Sequence, residues 1–426
     1  MPPSVGPNGA LAVRPDALGS ADFRRDHGVR YAYVAGSMYR AVASEDLVIR
    51  MSRAGLLGYF GSGGLRLERV EAALERFRRS LGPDHPYGLN LLPASDRGSS
   101  ERHLVDLLLR HDVRWIEVGS YPQLTPGLVR YRVSGLRRAP DGSVVASHKV
   151  LAKVSQPETA AAFLEPPPEH LVRHLVAAGD VSAAEAELAR RMPMADDICA
   201  EVDPAGHPGE RPFVVLLPEL VRLRDRIGRD NGFGNAVRVG VAGGIGTPES
   251  VAAAFVVGAD FVLTGSINQC TVEAGTTDAG KDLLQQAPAP QPSSASEFAL
   301  GARSPKYLRR AFGKVWEEAR ESYQQIDPYA VERAEHDPRY RMALVFKWYL
   351  LHTARPSRTA PIGRWADHQI ASGPAIGSLN SYLRGTPLEN WRSRHVDEIA
   401  ELLMTGAAEL LSQRLAEFAE HTPQAR

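Results

Sequence analysis

Cysteine is nearly missing: Cys199 and Cys270 are the two that 426 residues contain. Each lies beside an apolar run, so no disulfide framework is implied, and a reducing cytoplasm fits. Net charge is missing too, since 50 basic residues balance 50 acidic ones. That balance gives no electrostatic reason to expect nucleic acid or a membrane surface as a partner. No run approaches the roughly 18 apolar residues of a spanning helix. The opening MPPSVGPNGALAVRPDALGS lacks the apolar core of a signal peptide, so residues 1–20 are expected to be a flexible leader. Lysine is scarce, confined to Lys149, Lys153, Lys281, Lys306, Lys314 and Lys347 against a large arginine excess. The two in one apolar stretch, Lys149 and Lys153, stand out for that reason. No metal site is expected.

What the chain does have is alternation. Short apolar runs alternate with longer helical patterns, which is how a parallel sheet wrapped by helices reads. Eight strands are predicted: Tyr31–Gly36, Leu57–Phe60, Tyr87–Leu91, Arg114–Val118, His148–Val154, Asp197–Glu201, Val237–Val241 and Asp260–Thr264. Helices are predicted over Ser44–Ala54 (a serine cap with acids in its first turn), Leu67–Leu81, Arg102–His111 and Pro218–Ile227. An Asp-Gly turn in VRYRVSGLRRAPDGSVVASHKV predicts a β-hairpin before the fifth strand. EPPPEHLVRHLVAAGDVSAAEAELARRM supplies two helices before the sixth. Eight β/α units in roughly 250 residues match the α/β class as a (β/α)8 TIM barrel. A doubly wound sheet competes, because strand number alone does not prove closure.

After Leu284 the texture changes. The barrel is expected over residues 21–284, a Pro/Ser-rich linker over 285–304, and a C-terminal helical subdomain over 305–426. The stretch Met342–Leu351 is too apolar on all sides to stay exposed, so it is expected to pack on the barrel or on a second subunit.

Glycine is concentrated where it is least needed for a strand. Gly243 and Gly244 end the seventh predicted strand, and Gly265 and Ser266 end the eighth. Thr247 and Pro248 can open a helix whose free N–H groups point outward. In a parallel barrel the seventh and eighth loops often bind phosphate, so these residues suggest a site for a phosphate monoester. Tight turns with no ligand are the plainer alternative. No Gly-x-Gly-x-x-Gly fingerprint follows the first strand, which argues against a dinucleotide fold. Polar residues mark the other strand ends: Ser37 and Met38, FGSGGL, Asn90, Glu117 and Ser120, Lys153 and Ser155, and Glu201 with DPAGH. Convergence on one ligand explains such a set better than coincidence does, although each residue singly has a structural explanation.

With these motifs the chain resembles the PfaD-type enoyl reductases, flavin-dependent TIM-barrel enzymes related to nitronate monooxygenases. The matching segments include RYAYVAGSM, ASEDLVIRMSRAGLLGYFGSGGL, YGLNLL, DICAEVDPAGH, RVGVAGGIGTPESVAAAFVVGADFVLTGSINQ and HDPRYRMALVFKWYL. The resemblance implies FMN, with its phosphate at Gly243, Gly244, Gly265 and Ser266. It places Gly36, Ser37, Met38, Asn90 and Lys153 around the cofactor, with His207 and Lys153 catalytic. It further implies NADPH as reductant and a trans-acting enoyl reductase serving acyl carrier proteins of a polyketide or fatty-acid synthase. A homodimer is possible. The family's Asp-Ser-Gly-Gly-His appears here as Asp203-Pro204-Ala205-Gly206-His207, and several dozen residues expected after SEFALG (Ser296–Gly301) are absent. The shortening leaves two further readings open: a flavoprotein that oxidises a carrier-bound intermediate, or a degenerate scaffold subunit.

Overall fold

The computed structural model describes residues 4–5, 11–93, 99–119, 121, 123–202, 212–287, 316, 320–321, 324, 328–336 and 375–420. Eight parallel strands form a closed barrel: β1 (Tyr33–Ala35), β2 (Leu57–Phe60), β3 (Gly88–Leu91), β4 (Trp115–Val118), β5 (Lys149–Val154), β6 (Asp197–Glu201), β7 (Arg238–Ala242) and β8 (Val262–Thr264). Closure is settled by the last pairing. β8 runs beside β1, with Val262, Leu263 and Thr264 opposite Tyr33, Val34 and Ala35. A doubly wound sheet has two free edges, so that alternative is excluded.

Side chains alternate along each strand, as the pleat requires. Val34, Leu57, Tyr59, Leu151, Cys199, Ala242 and Leu263 form one buried cluster inside the ring. Their neighbours, among them Tyr33, Phe60, Ala152, Ile198, Val239 and Val262, pack outward in the larger core. Below the inner cluster a polar group closes the barrel's N-terminal end. There Asp197 pairs with His27 and Arg238, and Trp115 donates to His27. Above it, two residues further along the same strands, come Glu117, Lys153 and Glu201. The period of two therefore carries charged groups to the barrel's C-terminal mouth.

The helices follow from local signals. Ser44 caps Glu45–Arg53 by accepting from Leu47 N, and Ser182 with Glu185 forms a capping box for Ala183–Ala189. The expected hairpin is present, Arg137–Arg138 against Val144–Val145, with Gly142 at φ +86°. One helix starts earlier than its proline suggests. Phe213–Asp230 contains Pro218 inside it, because Leu216 and Leu217 extend the buried face of Leu220 upstream. Burial outweighs the single N–H that proline lacks.

Residues 11–20, expected from sequence to belong to a flexible leader, make defined contacts with the rest of the chain. Val13 N donates to Ser412 Oγ at 2.8 Å and Ser20 N to Asp260 O at 2.8 Å. The C-terminal helix Val396–Glu420 lies against Pro248–Val256, where a Cβ on Gly406 would fall 2.7 Å from Pro248 Cγ. Tyr31 and Arg50 tie its first turns down through Glu401, Asp397 and Glu398. Residues 288–304 of the linker, the shortened segment after Gly301 and the apolar stretch Met342–Leu351 lie outside the described residues.

Candidate cofactor and active site

The rim glycines fall into two groups. Some are bare because protein fills the space. A Cβ on Gly61 would sit 1.7 Å from Met38 O, on Gly246 2.5 Å from Ala375 O, and on Gly36 2.5 Å from Leu263 Cδ2. Others meet nothing: Cβ atoms on Gly244 and Gly265 would have no heavy atom within 4 Å. Gly243 and Gly244 adopt φ +96° and +71°, left-handed backbone that favours glycine. Gly265, at φ −130°, does not need glycine for its conformation.

The donors differ from those expected. Thr247 does cap Pro248–Val256, but it and Ser250 bond each other reciprocally, and the Gly246 and Thr247 amides both go to Ser250 Oγ. The first turn is thus largely self-satisfied. The amides of Gly244, Ile245 and Gly265 have no hydrogen-bond partner among the described residues. They are bare backbone donors on two adjacent loops, and a side chain on Gly244 or Gly265 would enter open space. Such an arrangement fits a phosphate. Ser266 opens the short helical turn that follows.

Across the mouth, β3 supplies Asn90. Its Oδ1 accepts from Ser62 N at 2.7 Å, Ser62 Oγ at 2.8 Å and Gly63 N at 3.1 Å. The FGSGGL loop is thereby tied to β3, and the Asn90 amide nitrogen remains a donor without a partner among the described residues. Ser37 is bound in the opposite sense: its N–H and hydroxyl both donate to Glu117, at 2.9 and 2.7 Å. Only its acceptor capacity is left for a ligand. Met38 is buried behind it.

Lys153 completes the mouth. Its Nζ lies 2.7 Å from Glu201 Oε1 and 3.6 Å from Glu117 Oε1. Burial pulls its pKa down, but Glu201 and Glu117 outweigh burial and hold it above the ordinary lysine value. Lys153 is therefore a fixed cation and a poor proton donor. Cys199 lies beside it in register, and burial raises its thiol pKa, so it stays protonated. His207, Ser120 and Asp203–Gly206 lie outside the described residues. Glu117 and Glu201 stand out in the sequence only as polar strand ends. Parity puts Asp197, Cys199 and Glu201 on one face of β6, but the tie of Glu201 to Lys153 comes from the register between β5 and β6.

A closed parallel barrel with bare glycine backbone after β7 and β8, and a polar mouth across from it, belongs to the TIM-barrel class of α/β proteins. Comparison with known proteins narrows this. The chain is 40% identical over 449 positions to the polyketide biosynthesis protein PksE of Bacillus subtilis strain 168, covering 96% of this chain and 58% of that one. It is 40% identical over 453 positions to the polyketide biosynthesis protein ThaF of Burkholderia thailandensis, covering 96% of this chain and 39% of that one. The chain thus spans little more than half of one curated relative and well under half of the other. The PksE alignment is longer than the present chain, so that relative carries residues with no counterpart here. Among solved structures, the enoyl reductase domain of MlnA from the macrolactin cluster of Bacillus amyloliquefaciens is 35% identical, with a TM-score of 0.79. The match covers 94% of this chain and 99% of that one. The inserted helical domain of acyl-carrier-protein S-malonyltransferase matches residues 304–368, most of which lie outside the described residues. The chain belongs to the PfaD-like enoyl reductase family, flavin-dependent oxidoreductases built on a TIM barrel.

Proposed function

We propose that this protein is an FMN- and NADPH-dependent enoyl reductase acting on α,β-unsaturated thioesters carried by acyl carrier proteins of a synthase. The observation that carries this reading is the cradle. The loops after β7 and β8 carry bare backbone, with open space at the Cβ positions of Gly244 and Gly265, across from a mouth that offers the Asn90 amide and the Lys153 ammonium. When bound, the flavin supplies hydride transfer between a nicotinamide and the enoyl double bond.

The chain's own part is placement and charge. The two loops would hold the phosphate end, and Asn90 would offer a neutral donor to the cofactor. Lys153 contributes a permanent positive charge held in place by two carboxylates. His207, which follows β6 in the sequence, is assigned delivery of the proton to the substrate α-carbon.

The test is direct. The purified protein should be yellow, release FMN on denaturation, bleach with NADPH under anaerobic conditions, and regain colour on addition of a carrier-bound enoyl thioester with saturated product formed. A colourless protein that takes up no added FMN would overturn the reading. Bleaching followed by oxidation of a saturated thioester would favour the dehydrogenating alternative.

A further inference from the structure

The mouth holds two carboxylates and one ammonium, so its described charged groups sum to a negative site rather than a positive one. Each carboxylate has a different duty. Glu117 is almost fully buried and already receives both donors of Ser37, which binds it to the β1 loop. Glu201 makes its ion pair with Lys153 and has no other hydrogen bond among the described residues. Its side chain is 25% exposed and that of Lys153 18%, against 3% for Glu117. The Lys153–Glu201 pair thus faces the open mouth, while Glu117 lies behind it.

From this geometry we infer that Glu201 is a positioning residue that fixes the Lys153 ammonium and sets the potential of the bound flavin. The inference rests on the flavin reading above. A lone lysine at the mouth would favour negative charge on a reduced ring. With Glu201 2.7 Å away, most of that field is cancelled, and the residual charge from Glu117 opposes electron uptake. Glu201 therefore keeps the reduced cofactor a stronger donor than Lys153 alone would allow. Direct removal of the Glu201 charge leaves Lys153 opposed by Glu117 only, at a longer 3.6 Å.

The experiment is an anaerobic redox titration against a reference dye on the flavin-loaded parent, Glu201→Gln, Glu201→Asp and Lys153→Gln. Glu201→Gln should raise the midpoint potential, favouring the reduced flavin about tenfold, which is ~30 mV for a two-electron couple. Lys153→Gln should move it the other way, and Glu201→Asp should stay near the parent. An unchanged or lowered potential in Glu201→Gln overturns the inference while leaving the flavin reading intact. Loss of flavin from Glu201→Gln with retention in Glu201→Asp also overturns it, because the carboxylate would then serve binding. Absence of flavin from the parent overturns both.

Discussion

Gly246 rests directly against Ala375: a Cβ on the glycine would fall 2.5 Å from the Ala375 carbonyl oxygen. Gly246 belongs to the loop after β7, and Ala375 begins the helix Ala375–Leu383 of the C-terminal part. The supposed appendage is therefore packed on the loop after β7. Ile376 joins Cys270, Leu284, Ala287 and Trp391 in a small buried cluster beside the β8 loop, and Asn380 donates to Leu284 O and Ala287 O.

Truncation after Gly280 should consequently fail. It would expose the surfaces against which Leu379, Ile399, Leu403 and Ala407 are buried. The expected product is aggregated or molten, seen by gel filtration and by loss of a cooperative melt. A monodisperse, flavin-loaded barrel would contradict this. Gly246→Val is the milder version. Because the opposing atom is backbone, about 1–3 kcal/mol of overpacking strain is expected, read as a lower urea midpoint.

The two open glycines separate conformation from ligand contact. Gly265→Val adds bulk into free space at φ −130°, so it should leave the melting temperature nearly unchanged and still weaken FMN binding. Gly244→Val, at φ +71°, should lower both, with strain of about 1–2 kcal/mol. Full flavin occupancy in Gly265→Val would remove the phosphate assignment. Thermal melts alongside flavin quantitation distinguish the two variants.

His207 should matter for turnover more than for cofactor retention. His207→Ala is expected to stay yellow and to be reduced by NADPH at the parent rate. Reoxidation by an enoyl thioester should slow about 10²–10⁴-fold, the usual contribution of a general acid. Stopped-flow measurement of the two half-reactions checks it, and equal reoxidation rates would remove His207 from the chemistry.

The barrel is legible in the sequence because its signals are local. Every predicted strand lies within two residues of its observed bounds, since short apolar runs bracketed by helical periods leave few alternatives. The cradle is legible as glycine, but its donors are not. Sequence shows that Thr247 can cap, and only the fold shows that Ser250 returns the bond and takes up two amides. Sequence leaves Gly265 open between a phosphate contact and a tight turn, and only the fold shows its φ of −130° and the open space at its Cβ position. The Lys153–Glu201–Glu117 group needs register between β4, β5 and β6, which no single strand's pattern contains. The fixing of residues 11–20 depends on partners as far along the chain as Ser412, a sequence separation of 399 from Val13.

The last expectation concerns the barrel's closed end and its response to acid. Asp197 uses both oxygens, one toward His27 Nε2 at 2.8 Å and one toward Arg238 Nε at 2.6 Å. Trp115 Nε1 donates to His27 Nδ1 at 2.9 Å, so Nδ1 is the acceptor and the ring proton sits on Nε2, directed at Asp197. Burial alone would raise the Asp197 pKa. Arg238 and His27 outweigh it and take the carboxyl well below the usual carboxylate range. A depressed folded pKa stabilises the native state above the unfolded value of about 3.9, and that stability is lost as pH falls toward the folded value. Asp197→Asn leaves Arg238 with only the half-buried Asp26, 2.7 Å from its Nη1, and should cost less than the about 3–5 kcal/mol of a buried charge left wholly unpaired at neutral pH. Because the parent loses this contribution in acid and the variant has none to lose, the gap between them should be constant from pH 7 to 5. It should then narrow below about pH 4. Urea midpoints for both proteins at pH 7, 5, 4 and 3.5 give the comparison. A gap that stays constant across all four would mean that Asp197 acts by shape and hydrogen bonding rather than by charge.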